Sequence, residues 1–311
     1  MAEADGWDGL ALTDSQNLAG DVFAELALAA RATSRLRLGT GATNPVTRHP
    51  AVVASAIATV QVESAGRAVL GIARGDSALA YLGSPPAPLK TFRRGIEQIQ
   101  AYLRGETVDQ HGYGSRLEWF INSGVPKPPM SVAATGPKVI ELAATIAERV
   151  TFSVGAIPER LKWAINQARS INPSIACGAY VNCVTHPDHQ QARELVRGRL
   201  GVYARFSSMH ENAMSTLDAH DRAVAEKLAA SYDMKAHATA GARHAAALDD
   251  DFVDRFGVVG PATHVVERLK ELLELGLDHL IIVGHGRDVS EETLRESSHR
   301  FAQDVLPRLK S

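Results

Sequence analysis

Four short stretches of this chain gather side chains able to do chemistry. Thr13-Asp14-Ser15 sets a carboxylate beside a hydroxyl, and Gly75-Asp76-Ser77 repeats the pair behind a glycine that permits a sharp turn. An aspartate near a reacting centre can hold or orient a proton, and a serine can donate to an anionic group. Taken alone, the same residues serve as helix caps, because Asp and Ser accept from the free N–H groups of a first turn. Between them, Thr40, Gly41 and Ala42 are small enough for a flat ring to approach the main chain, and Pro45 and Pro50 set the path of the loop that follows. Asn44-Pro45 and His49-Pro50 are also ordinary turn and helix-start signals, and His49 by itself reads as a capping or surface histidine. Thr135-Gly136-Pro137-Lys138 opens a helix whose unpaired N–H groups, with the charge of Lys138, suit a phosphate; plain strand-to-helix punctuation has the same composition.

Several chemistries lack their sequence marks. There is no Gly-x-x-x-x-Gly-Lys-Ser/Thr phosphate loop, no Gly-x-Gly-x-x-Gly after a strand, no His-Glu-x-x-His or Cys-x-x-Cys metal spacing and no Gly-x-Ser-x-Gly elbow. Cys177 and Cys183 are expected to be free thiols of a reducing cytosol. With 33 Lys+Arg against 35 Asp+Glu, the net charge of −2 calls for neither nucleic acid nor an anionic membrane. The apolar runs are too short or too polar to span a bilayer, and a cytoplasmic protein acting on a small molecule is expected.

The elements that must hold these residues follow from periodicity. Short Val/Ile/Leu runs alternate with Ala/Glu/Arg/Leu segments of helical period, so the fold class is α/β with a parallel sheet. Strands are expected at Gly9–Thr13, Arg37–Thr40, Ala68–Ala73, Met130–Ala134, Val150–Val154, Ile175–Val184 and His279–Val283. Pro50, Pro137, Pro158 and Pro261 mark helix starts, and Gly276 stops the helix that begins after Pro261. Gly105–Lys127 reads as a long loop or hairpin, and Leu200–Gly260 as a mainly helical insertion in a single domain over residues 1–311. Seven strands are one short of a barrel, and a strand expected before Gly9 is missing from the text.

In combination, Gly6-Trp7-Asp8-Gly9-Leu10, Thr43-Asn44-Pro45-Val46-Thr47-Arg48-His49-Pro50, Gly75-Asp76-Ser77-Ala78 and Val258-Val259-Gly260-Pro261 resemble the bacterial luciferase-like monooxygenase superfamily. Within it they are most similar to the deazaflavin branch that includes methylenetetrahydromethanopterin reductase and glucose-6-phosphate dehydrogenases using coenzyme F-420. The resemblance implies a TIM-type (β/α)8 barrel, here without its first strand and with the helical insertion before its last. It implies a cofactor site of Asp14, Thr40, Gly41, Ala42, Gly75, Asp76, Ser77, Thr135, Gly136, Pro137, Lys138, Ser153 and Val154, with a cis Gly41-Ala42 bond behind the ring and the phosphate at Thr135–Pro137. Asp76 is the first candidate for moving a proton, Asp14 and His49 the lesser ones, and no metal is implied.

The expected function is hydride transfer between coenzyme F-420 and a small organic substrate. One alternative is an FMN-dependent monooxygenase using reduced flavin and oxygen; another is a truncated, non-catalytic barrel that acts as a binding protein. The resemblance also implies a homodimer, with Ala24–Ala32 and Ala51–Val62 as candidate interface helices, and a flavin or deazaflavin reductase as the source of reduced cofactor.

Overall fold

Asp21 accepts from the N–H groups of Phe23 and Ala24 and so starts α1 (Val22–Ala32), whose Val22, Phe23, Leu26 and Ala30 form one buried stripe. His49 and Pro50 start α2 (Pro50–Glu63) in the same way, with the proline at a position where its missing N–H costs nothing. Such starts recur along the chain and give the βα alternation. The computed structural model describes residues 2–209 and 211–310. Contacts divide them into two units, one holding the chain up to Ala133 with Ile146–Arg149, the other Ala134–Thr145 with the chain from Val150.

In the first unit β1 (Gly9–Leu12), β2 (Arg37–Thr40) and β3 (Ala68–Ile72) are followed by α3 (Ser77–Ala80), α4 (Leu89–Leu103), β4 (Val108–Gln110), β5 (Tyr113–Ser115), α5 (Glu118–Ile121) and β6 (Met130–Ala134). The pairs β1–β2, β2–β3 and β3–β6 are parallel, with Gly9 opposite Arg37, Leu38 opposite Ala68 and Leu70 opposite Met130. Parallel neighbours require a crossover, which α1, α2 and α4 supply. Leu38, Leu70 and Ile72 of the strands and Leu26, Val53, Ile57, Phe92 and Ile96 of the helices are wholly buried. Each contributes on the order of 1.5–3 kcal/mol to holding helix on sheet. Among the described residues β1 has β2 as its one strand neighbour.

The second unit contains α6 (Pro137–Ile146) but for its last residue, β7 (Arg149–Phe152) but for its first, α7 (Pro158–Arg169), β8 (Ala176–Thr185), α8 (His189–Ser208), α9 (Glu211–Met214), α10 (Ala219–Ser231) and α11 (Asp250–Phe256). It continues with β9 (Val258–Gly260), α12 (Ala262–Glu274), β10 (His279–Val283), α13 (Glu291–Asp304) and α14 (Leu306–Lys310). β8 pairs in parallel with β10 and with β9. Its core joins Val184 and Val259 to Val196, Leu200, Leu228, Phe252 and Phe256, with the last two rings stacked 5.1 Å apart.

The segment expected as a loop or hairpin contains the antiparallel pair β4–β5, and the Leu200–Gly260 stretch is mainly helical. That stretch ends, however, in a strand that the sequence reading did not count. β9 has three residues, Val258, Val259 and Gly260, too few to show alternation, and its pairing with β8 is what makes it a strand. No helix among the described residues is long and apolar enough to cross a membrane.

Candidate active site

The loops after β1 and β2 close on one carboxylate. Asp14 lies two residues beyond β1, is 4% exposed, and takes two donors on Oδ2: the Thr43 hydroxyl at 2.6 Å and Arg48 Nη1 at 2.5 Å. Arg48 Nη2 reaches Asp21 Oδ2 at 2.8 Å, and its guanidinium carbon stands 5.3 Å from the centroid of the Phe23 ring. Burial by itself would lower the Arg48 pKa, but the hydrogen bonds and charges of Asp21 and Asp14 outweigh it, so the guanidinium is raised above its ordinary value. The Arg48 hydrogen bond in turn lowers the Asp21 carboxyl below the usual carboxylate range.

The main chain of this loop is held by β3. Thr40 ends β2 buried, and its hydroxyl donates to Gly71 O at 2.6 Å, while Thr43 N donates to the same carbonyl at 2.9 Å. Gly71 must lack a side chain, because a Cβ there would stand 1.9 Å from Thr40 O. Gly41 N donates to Leu12 O at 2.6 Å, and the Gly41-Ala42 peptide bond is cis, with both residues half-buried. Asn44 is buried and folds the next turn by accepting from Val46 N and Thr47 N. His49 is exposed, and its Nδ1 accepts from Ala51 N at 3.2 Å, which gives the ring a capping task at the start of α2.

After β3, Gly75 adopts φ +89°, a conformation that side chains rarely adopt, and a Cβ there would also meet Leu79 at 2.6 Å. Asp76 precedes α3, and its main-chain oxygen accepts from Leu79 N and Ala80 N. The Asp76 carboxylate makes no capping bond to that helix. Ser77 meets the buried Ser15 hydroxyl at 3.0 Å, and Gln16 Nε2 donates to Ala78 O at 2.7 Å, so the loops after β1 and β3 are tied together as well.

In the second unit, Thr135 and Gly136 lead into α6, where Pro137 brings no N–H and Val139 N and Ile140 N donate back to Gly136 O. The direction of a Cβ at Gly136 is open, with no atom within 4 Å. Lys138 is exposed beside this turn. Ser153 follows β7, is buried, and donates from its N–H to Ala134 O at 2.8 Å. Val154 is buried, and its carbonyl accepts from Arg160 Nη1 at 2.7 Å.

In the first unit Asp14, Thr40, Gly41, Ala42, Gly75, Asp76 and Ser77 lie at the end of β2 and on the loops that follow β1, β2 and β3; in the second, Thr135, Gly136, Pro137 and Lys138 follow β6, and Ser153 and Val154 follow β7. In parallel α/β folds the carboxyl ends of strands are where ligands bind. Sequence reasoning gave no role of their own to Thr43, Arg48 and Asp21, which hold Asp14 and its loop. The signal was present in Thr43 and Arg48, two polar residues inside the most telling motif, but their partners lie 29 and 34 positions away.

A family model described as luciferase-like monooxygenase matches residues 1–279. The 5,10-methylenetetrahydromethanopterin reductase of Methanolobus tindarius is 29% identical over 305 residues, which cover 90% of this chain and 87% of the relative. The coenzyme F-420-dependent glucose-6-phosphate dehydrogenase of Microbacterium testaceum is 28% identical over 300 residues, covering 91% of this chain and 81% of its own length. The solved structure of the coenzyme F-420-dependent tetrahydromethanopterin reductase of Methanopyrus kandleri superposes with a TM-score of 0.77 at 24% identity, over 99% of this chain and 93% of that one, and shows the shared fold. With most of its length matched by the family model and its parallel α/β fold shared, the chain belongs to the luciferase-like monooxygenase family of flavin- and deazaflavin-dependent oxidoreductases.

Proposed function

We propose that this protein moves a hydride between coenzyme F-420 and a small organic substrate. The observation that carries this most is the Thr43–Pro50 loop, closed onto Asp14 by Thr43 and Arg48, in a chain similar to reductases and dehydrogenases named for that cofactor. The side chains and main chain present suit such a group. Gly41-Ala42 offers a wall without bulk for a ring, with Asp14 beside it, and Thr40, Gly75, Asp76 and Ser77 frame the neighbouring loops. The turn Thr135-Gly136-Pro137 with Lys138 has the donor chemistry for a phosphate at a helix start, and Ser153 and Val154 are assigned to the same cofactor.

When bound, a deazaflavin supplies two-electron hydride chemistry with little reaction toward oxygen. The chain's own part is to position and to handle the proton. Asp14 takes two donors and His49 caps α2; the proton at the substrate is assigned to the carboxylate of Asp76, which stands at the turn after β3. We further assign to the protein a homodimer through α1 and α2, which leave Leu28 72% and Val52 54% exposed, and a reductase that renews the reduced cofactor.

The family's monooxygenase description favours one other chemistry, oxygen insertion with reduced FMN. Oxygen uptake separates the two. Purified protein with reduced FMN and a panel of small substrates is expected to consume no oxygen beyond the uncatalysed rate; substrate-dependent uptake with an oxygenated product would displace the hydride-transfer assignment.

A further inference from the structure

We propose that Arg48 is a positioning residue that holds Asp14 in one orientation. The inference rests on the ring site proposed above. Three independent contacts fix the guanidinium: Nη1 on Asp14 Oδ2 at 2.5 Å, Nη2 on Asp21 Oδ2 at 2.8 Å, and the Phe23 ring 5.3 Å away. Asp21 is itself fixed, since its other carboxylate oxygen caps α1 through Phe23 N and Ala24 N. A planar fork anchored at both arms keeps few rotamers, so the orientation of Asp14 is set by the first turn of a helix that packing already holds in place. Thr43 adds a second donor to the same Oδ2, so both bonds hold one oxygen of the carboxylate. Asp14 therefore acts through its fixed direction. Lysine, with one nitrogen, cannot reach Asp14 and Asp21 as a fork does.

The test titrates oxidised coenzyme F-420, and separately FMN, into wild type, Arg48→Gln, Arg48→Lys, Asp14→Asn and the Asp14→Asn/Arg48→Gln double variant, following the ring's absorbance and fluorescence. Circular dichroism checks that each variant is folded. Arg48→Gln is expected to weaken binding of whichever ring the wild type binds by about tenfold or more, the scale of one lost charge-assisted contact. Arg48→Lys is expected to recover part of that loss, and the double variant to bind no worse than Asp14→Asn, because Arg48 acts through Asp14. Should Arg48→Gln not fold, Asp21→Ser keeps a helix cap while removing one anchor, and the same direction of change is expected at smaller size. A folded Arg48→Gln that binds like wild type, or losses that multiply in the double variant, overturns the role of Arg48 alone. Wild type that binds FMN and not coenzyme F-420 overturns the cofactor assignment and leaves the Arg48 comparison in force with FMN as probe. Wild type that binds neither overturns the ring site and the positioning role together.

Discussion

Asp14, His49 and Asp76 all carry groups able to take part in proton transfer, and their surroundings separate them. Asp14 is saturated on one oxygen by Thr43 and Arg48, the His49 ring is turned to Ala51 N, and Asp76 stands at the turn between β3 and α3. Asp76→Asn keeps the shape of the side chain and removes its charge. Turnover is expected to fall by about two to four orders of magnitude, the usual size of a lost general acid or base, with cofactor affinity changed by less than about threefold. Steady-state turnover measured beside a binding titration checks this; unchanged turnover with cofactor bound would take the role from Asp76. The two cysteines belong at the same scale. Burial pushes the Cys177 thiol up to about 11 and raises Cys183 as well, so neither is a ready nucleophile. A thiol-reactive disulfide reagent is expected to label neither residue in the folded protein and both in denaturant; fast labelling under native conditions would contradict the burial.

Between elements, one buried cation of the second unit acts as a clasp. Arg160 of α7 is 1% exposed and donates to Val154 O, to the hydroxyls of Ser207 and Thr216 and to Ala213 O, joining the end of β7 to the end of α8 and the segment after it. Burial depresses its pKa to about 10, still far above neutral, with the charge of Asp221 opposing the shift. Arg160→Met leaves these oxygens without their donor and is expected to cost about 3 kcal/mol in a urea unfolding experiment; a loss under about 1 kcal/mol would contradict the clasp. A second clasp is exposed and depends on pH. His220 of α10 lies between Asp221 at 3.3 Å and Asp249 at 3.0 Å, the latter the cap of α11, with Arg255 pairing to Asp218 and Asp221 beside it. The hydrogen bonds to Asp221 and then Asp249 raise the His220 pKa above 6.5. A raised value means that the stabilisation is complete below the unfolded pKa and is lost as pH rises through the folded one. The thermal midpoint of the wild type relative to His220→Gln is therefore expected to be higher at pH 6 than at pH 8.5, and an equal difference at both would remove the clasp.

These elements also divide what the chain spells locally from what it does not. Pro50 after His49, Pro137, Pro158, and Gly276 at φ +99° act within a few residues of themselves, so the helices they bound were legible, as were Arg37–Thr40, Met130–Ala134 and His279–Val283 as strands. Asp14 and Asp76 were legible as candidates because they follow strands that periodicity predicts. Arg48 on Asp14, 34 positions apart, and Arg160 on Ala213, 53 apart, were not, since no local pattern carries a pairing made only when the loops meet. β9 escaped for the opposite reason: three residues hold too little pattern, and β8 supplies the rest.

At the scale of the whole molecule, family membership gives the type of reaction, an oxidoreduction. The loops that hold Asp14, Thr43 and Arg48 lie among the elements that the family match covers, together with the parallel strands that carry them. We propose that the substrate is chosen by residues 105–127, with the β4–β5 hairpin and α5, and by the helical stretch 200–260. The rival in which the chain binds a ligand without turning it over shares this fold and differs in turnover, so it predicts that Asp76→Asn changes nothing. The most direct measurement is equilibrium titration of the purified protein with oxidised coenzyme F-420 and, in parallel, with FMN. Saturable binding of coenzyme F-420 at micromolar or lower concentration, tighter than that of FMN, is the predicted result; tight binding of FMN with none of coenzyme F-420 would contradict it.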